Sequence, residues 1–354
     1  MAGVSARGAT GLLSLPAPLT QYAGQDGWLA ALVGIPFGLI PLAAWYVLDR
    51  RLPGRSFTEQ ARAFLGPVGG SLLAVLPVVL FATTLAATGR EVVDVVLVEG
   101  LPRTPLLIVL PLLLLPPLYA VRSGLEALAR LGEVMVPLGI GMLLMILLVS
   151  FKEMQPLNLR PFLASGWRPV WQGAAAPAAF YAESFFFLYI LPQRGRDRAA
   201  TLRAAAAGVV TVAVLLALST AITVAIFGPL GTVLPAPVFQ GTRVVSIAEF
   251  FTHLDSVLVV SWLAMSMVKI GVFLYCFCFA LGQLLGMRDY RPLTLPAGAF
   301  TVISADQWFP STSTVSHWLT HSWPFWGGVM ELLPPLALAA AALVRRLPNR
   351  GERA

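Results

Sequence analysis

The chain has 354 residues, of which 57% are hydrophobic and only 12% charged, and its mean hydropathy is +0.79. A soluble domain carries about 25% charged residues, so the composition excludes a soluble globular protein and describes an integral membrane protein. The net charge of +7 is almost entirely arginine, because Lys152 and Lys269 are the only lysines; it informs topology and gives no support to a nucleic-acid partner.

Apolar runs long enough to cross roughly 30 Å of hydrocarbon recur along the whole sequence. They fall at 8–23, 28–48, 67–97, 104–121, 133–151, 170–192, 203–227, 256–286, 292–305 and 322–344. Ten spans leave room only for loops, so residues 1–354 read as one all-helical membrane domain. Five spans followed by five place the halves, 1–151 and 170–344, in opposite topology, which predicts an inverted repeat. With a cytoplasmic N-terminus the inner loops hold sixteen arginines, among them Arg50, Arg51, Arg55, Arg62, Arg122, Arg130, Arg198 and Arg291, against five basic residues outside (Arg103, Lys152, Arg160, Arg168, Arg243). That asymmetry predicts that both termini are cytoplasmic. The first residues lack the pattern of a cleavable signal peptide.

The first span opens on Gly8, Ala9, Thr10 and Gly11, a weak helical stretch. An unwound segment is tolerated in a membrane only where it lines a cavity or is buried in protein. The half-helix from Leu12 would then offer free N–H groups and its positive end to a carboxylate; close helix packing by small residues is the other reading. The third span carries Arg90 and Asp94 four residues apart, an outer gate, a structural clasp or a solvated surface pair, with Thr84 and Thr88 on a neighbouring stripe. In the sixth span, Pro177 precedes Phe180, Tyr181, Glu183 and Ser184, and Glu183 is the only acid there. A membrane-embedded acid costs about 3 kcal/mol to insert, so Glu183 is expected to bind a proton, meet a substrate ammonium, or pair internally. Lys269, alone in the eighth span, could neutralise Glu183, hold a ligand carboxylate, or stand where a sodium ion would sit. The first and sixth helices are thus both expected to be broken, which points to a midplane binding site.

Other chemistry finds little footing. Cys276 and Cys278, two apart, point to different sides of a helix. His317 and His321 are four apart but lack a matching ligand cluster, so no metal site is expected. No nucleophile with its base, P-loop or paired-carboxylate site is visible; neither an enzyme nor a cofactor is predicted.

The run "GATGLLSLPAPLTQYAGQDGW", with Asp26, Gly27 and Trp28, resembles the opening of the spore germinant-receptor B-subunit family, the endospore germination permeases of the amino acid, polyamine and organocation transporter superfamily. "RTPL" from Arg103, "SGLEALARL" from Ser123, "LNLRPFLASGWRPV" from Leu157, "YAESFFFLYILP" from Tyr181 and "LDSVLVVSW" from Leu254 follow in order. The resemblance implies a LeuT-like fold of two inverted five-helix repeats, with a pocket between helices 1, 6, 3 and 8. Carried onto this sequence, that pocket is lined by Gly8, Thr10, Gly11, Tyr181, Glu183 and Lys269, with Thr84 and Thr88 contributing. It also implies a nutrient sensor of the spore inner membrane that binds a small molecule, an amino acid above all, beside a larger A-type subunit and a C-type lipoprotein. A proton-coupled amino-acid permease is the alternative. Family members have a longer segment before the break; the seven residues preceding Gly8 cover only about 10 Å, so the first helix is expected to be N-terminally incomplete. Mass spectrometry of the native protein, with Met1 found as its true end, would refute this.

Overall fold

The computed structural model describes residues 15–191, 197–228 and 254–344, and every regular element among them is a helix. Within those residues seven helices are long and apolar enough to cross a membrane. The first, sixth and ninth spans account for the difference from ten. The start of the first span, including Gly8, Thr10 and Gly11, lies outside the described residues; the sixth is divided into short pieces; the ninth is a helix of 15 residues. The first and second spans count as one stretch, Pro16–Arg51, by length and composition, but they are not one rod. Helix α1 (Pro16–Ala23) begins on a proline, whose missing N–H costs nothing at a first turn, and stops at Gly24 with φ +55°. A Cβ built on Gly27 would lie 3.1 Å from the backbone of Leu19. Eight residues of straight helix span about 12 Å, so the chain doubles back into α2 (Gly27–Val33) and α3 (Ile35–Arg51).

The same device recurs in the third span. Ser56 and Glu59 form a reciprocal capping box that starts α4 (Phe57–Glu99). At Gly66, with φ +82° and Pro67 following, the helix breaks. A Cβ on Gly70 would come within 2.4 Å of Arg62, so the short first part folds against the long second one. From there the order is α5 (Leu106–Ser123), α6 (Leu125–Ser150), α7 (Trp167–Gly173), α8 (Ala175–Ala182), a 3₁₀ turn at Glu183–Phe186, and α9 (Phe187–Ile190). Helix α10 (Arg198–Phe227) starts on Asp197, whose side chain accepts from the N–H of Ala200. Then come α11 (Leu254–Leu284), α12 (Thr294–Trp308), α13 (Thr312–His317), a π-helical turn at Trp318–Ser322, and α14 (Trp323–Val344).

Two groups of helices pack side by side. Helix α11, the most buried of the spans, packs on α4, α5 and α6, with α12 against α4 and α5. Helices α2 and α3 pack on α10, and α8 packs on α3 and α14. Helix α14 also touches α4, so the seam between the groups runs along α4, α8, α11 and α14. At one end, the guanidinium of Arg62 donates to the carbonyls of Gln283 and Leu284 at 3.1 Å each, bonding the last carbonyls of α11. Ser56 donates to the Gln283 side chain at 2.7 Å, and Arg198 pairs with Asp49.

Candidate functional site

The sixth span unwinds at its acid. Pro177 sits in the first turn of α8, where proline is tolerated, and the helix continues to Ala182. From Glu183 the chain tightens into the 3₁₀ turn, whose poorer hydrogen bonding often marks a functional hinge. Two side-chain contacts tie the turn to its neighbours. Ser184 donates to the Gly38 carbonyl of α3 at 2.7 Å. The Cys276 thiol of α11 approaches the Phe186 carbonyl at 3.9 Å, which gives that cysteine a contact its sequence position did not suggest.

Glu183 meets Lys269 there. The ammonium stands 2.9 Å from Glu183 Oε1, with both side chains almost fully buried, and lies 5.2 Å from the Phe180 ring and 5.6 Å from the Phe273 ring. Around the pair lies a cavity of about 10 Å³, lined by Thr84, Ala87, Thr88, Glu91, Phe180, Glu183, Lys269, Trp318, Leu319 and Trp323. That is room for about one water molecule. Thr84, Thr88 and Glu91 are spaced to share one face of α4, and Thr84 is fixed by donating to the Leu80 carbonyl at 2.9 Å.

Of the residues singled out in the sequence, Thr84, Thr88, Glu183 and Lys269 come together. Tyr181 does not join them: its ring lies against Gly34, just before α3, and its Cβ against Gly38 of α3, where added Cβ atoms would fall 3.1 Å from the ring and 2.7 Å from the Tyr181 Cβ. Arg90 and Asp94 are 2.9 Å apart and largely buried, with side-chain exposures of 11% and 7%. They are therefore a buried clasp, not a solvated surface pair, and are not among the cavity-lining residues. His317 and His321 stack, 4.4 Å between centroids, and no cluster of three or more metal-ligating side chains occurs among the described residues. Sequence reasoning missed Glu91, although it lies one further turn along the Thr84 and Thr88 stripe. It also missed Trp318, Leu319 and Trp323, whose approach depends on a distant part of the chain.

A second constellation joins two motifs far apart in sequence. The N–H of Leu163 donates to both oxygens of the buried Asp26 at 3.1 Å. Gln25 donates to the Pro161 carbonyl at 2.7 Å, and Trp28 meets Phe162 edge-on at 6.4 Å. The segment Gln25 to Trp28 thus holds the loop that connects the two halves of the chain.

The combination of a mid-span break, a buried ion pair and a seam cavity is that of a transporter-type scaffold. A family model described as "Spore germination protein" matches residues 4–307. The chain belongs to this spore germination family. It is 25% identical over 283 residues to "Spore germination protein KB" of Bacillus subtilis (strain 168), covering 78% of this chain and 76% of that one. "Spore germination protein YndE" of the same organism is 30% identical over 208 residues, 57% of this chain and 56% of that one. Among solved structures, that of MhsT in complex with L-phenylalanine superimposes with a TM-score of 0.69 at 14% identity, covering 95% of this chain and 90% of that one. A manganese transporter of Eremococcus coleocola gives 0.53 at 16% identity, with 96% and 76% covered. The germination protein therefore has the LeuT-like fold, and it is a multi-pass membrane protein.

Proposed function

We propose that this germination protein is the B-type membrane subunit of a nutrient receptor, which binds a small molecule, an amino acid in the first instance, and signals through partner subunits. The observation that carries the reading is the Glu183–Lys269 pair, 2.9 Å apart, at the 3₁₀ break of a LeuT-like scaffold. An ammonium and a carboxylate side by side offer complementary partners to the two ends of a zwitterion. Thr84 and Thr88 supply hydroxyls beside them, Tyr181 backs the break from the α3 side, and Gly8, Thr10 and Gly11 complete the pocket. MhsT, of the same fold, was crystallised with an amino acid, and the relatives carry germination names.

On this reading the two inverted halves, 1–151 and 170–344, move relative to each other when ligand binds. The partners are a larger A-type subunit and a C-type lipoprotein, in the spore inner membrane, with both termini cytoplasmic as the arginine distribution favours. Ligand shifts the conformation only in so far as it prefers one state. Transport is the second reading, favoured by the shared transporter fold, with Glu183 as proton carrier. Paired binding and uptake of a labelled amino-acid panel in proteoliposomes under a proton gradient tests both. Saturable binding without accumulation is the outcome expected of a receptor. Gradient-driven accumulation, abolished in Glu183→Gln while binding persists, would make the protein a proton-coupled permease instead.

A further inference from the structure

The cavity at the ion pair has room for about one water molecule, so any larger molecule can enter only if a wall moves. Most of its walls are poorly suited to that. Thr84, Ala87, Thr88 and Glu91 belong to the long helix α4, and Lys269 to the deeply buried α11. The 3₁₀ turn of Glu183 is buried at every residue. The turn is also held in an aromatic cluster in which Phe81 meets Phe185 at 6.0 Å, Tyr189 at 5.4 Å and Phe273 at 6.0 Å.

The remaining wall is different. Trp318 and Leu319 come from the π-helical turn Trp318–Ser322, none of whose residues is fully buried. The N–H of Trp323 bonds back to the Trp318 carbonyl, five residues away. Side chains take up carbonyls at the turn: Thr320 donates to Ser316 O at 2.9 Å and to His317 O at 3.2 Å. Trp318 packs between Phe309, edge-on at 5.3 Å, and Trp323, tilted at 5.1 Å. The arm formed by α13 and this turn rests on α4 through a small apolar cluster, Ala86, Ala87, Phe309 and Val315, while Trp318 and Leu319 pack against both that cluster and the main core.

We infer that the π-helical turn is the lid of the cavity, and that Trp318 and Leu319 are its ligand-facing residues. Relaxing the turn to α-helical register removes one residue's worth of excess winding, and rotates the arm by about 100° relative to α14. That rotation carries Trp318 and Leu319 off the mouth and opens the site between α4 and α14. Wide turns of this kind are frequent at functional sites, where an element must hold two registers. The inference concerns access, and holds whether the bound molecule is sensed or carried.

The test is thiol accessibility of the full-length protein in detergent, with Thr88→Cys as the reporter and a charged methanethiosulfonate as the probe. The native Cys276 and Cys278 are buried, and protein without the reporter supplies the blank. Slow labelling is expected with the native lid. Trp318→Ala removes the roof, and deletion of Thr320 forces the turn toward α register; each is expected to raise the labelling rate by roughly tenfold, as a tenfold shift in the opening equilibrium would. Phe81→Ala, which thins the aromatic cluster at the 3₁₀ turn, is expected to leave the rate unchanged. The inference is overturned if well-folded Trp318→Ala, or the Leu319→Ala variant that serves where it misfolds, labels at the native rate. It is equally overturned if Phe81→Ala alone accelerates labelling.

Discussion

Lys269 and Glu183 each lie where a lone charge would be costly, in spans with no other charge near the middle. Their pairing at 2.9 Å makes each the condition for the other's burial, and the Phe180 and Phe273 rings flank the ammonium with π faces that favour a cation. Removing one member of a buried pair typically costs about 3–5 kcal/mol, whereas replacing both by apolar groups of similar volume is near neutral. Glu183→Gln should accordingly lower the thermal midpoint of the purified protein markedly. Adding Lys269→Met to it should recover most of the loss, because no buried charge then remains at the pair. A double variant less stable than Glu183→Gln would show that Lys269 is held mainly by other groups. Asp26 poses the opposite case, an acid whose main-chain partner is a single amide. Asp26→Ala should cost about 1–3 kcal/mol as the Leu163 N–H loses its acceptor, with faster proteolysis in the 157–163 loop as the readout.

The broken sixth helix shows how much an element can be read in advance and where that stops. Glu183 and Pro177 mark an interruption in the sequence, and the break does fall at the acid. The third and eighth spans, which carry Thr84, Thr88 and Lys269, are legible because long apolar runs with isolated polar residues have few other solutions in a membrane. Tyr181 was unreadable for a steric reason. It is directed toward α3 because Gly34 leaves room for its ring and Gly38 for its Cβ, and nothing near residue 181 announces glycines in so distant a part of the chain. The reversals at Gly24 and Gly66 and the π-helical turn are set by positive φ and by hydrogen-bond register, which hydropathy does not encode. The close fit at Gly38 makes its own prediction. A Cβ at position 38 would stand 2.7 Å from Tyr181 Cβ and 2.8 Å from Val209. Gly38→Ala should therefore push α8 off α3 and cost about 1–3 kcal/mol, the usual penalty of overpacking, seen as a lower thermal midpoint and weakened ligand binding. Unchanged stability would mean that the broken helix can shift at little cost.

At the scale of the whole molecule, the helices around the cavity are fastened to their neighbours by different chemistry toward the two ends of the bundle. Toward one, the Arg62 guanidinium grips the last carbonyls of α11, Ser56 bonds Gln283, and Arg198 meets Asp49. Toward the other, Gln25, Asp26 and Trp28 hold the connecting loop at Pro161 to Leu163. A scaffold that opens its central site to one side at a time needs fastenings that can be released separately; were they coupled, the protein could only open as a whole or stay shut. Amide exchange separates these cases. Arg62→Ala uncaps α11, and should speed exchange at Leu285 and Gly286, whose N–H groups bond to Leu281 O and Gln283 O in the same turn. A lost charged hydrogen bond of about 1.5–3 kcal/mol corresponds to a rate increase of roughly 10- to 150-fold. The Leu163 amide should exchange at its native rate in that variant. Asp26→Ala should give the mirror pattern, fast at Leu163 and native at Leu285 and Gly286. If either substitution accelerates both ends together, the two fastenings belong to one cooperative unit, and separate release of the two ends of the bundle is not how this protein exposes its buried ion pair.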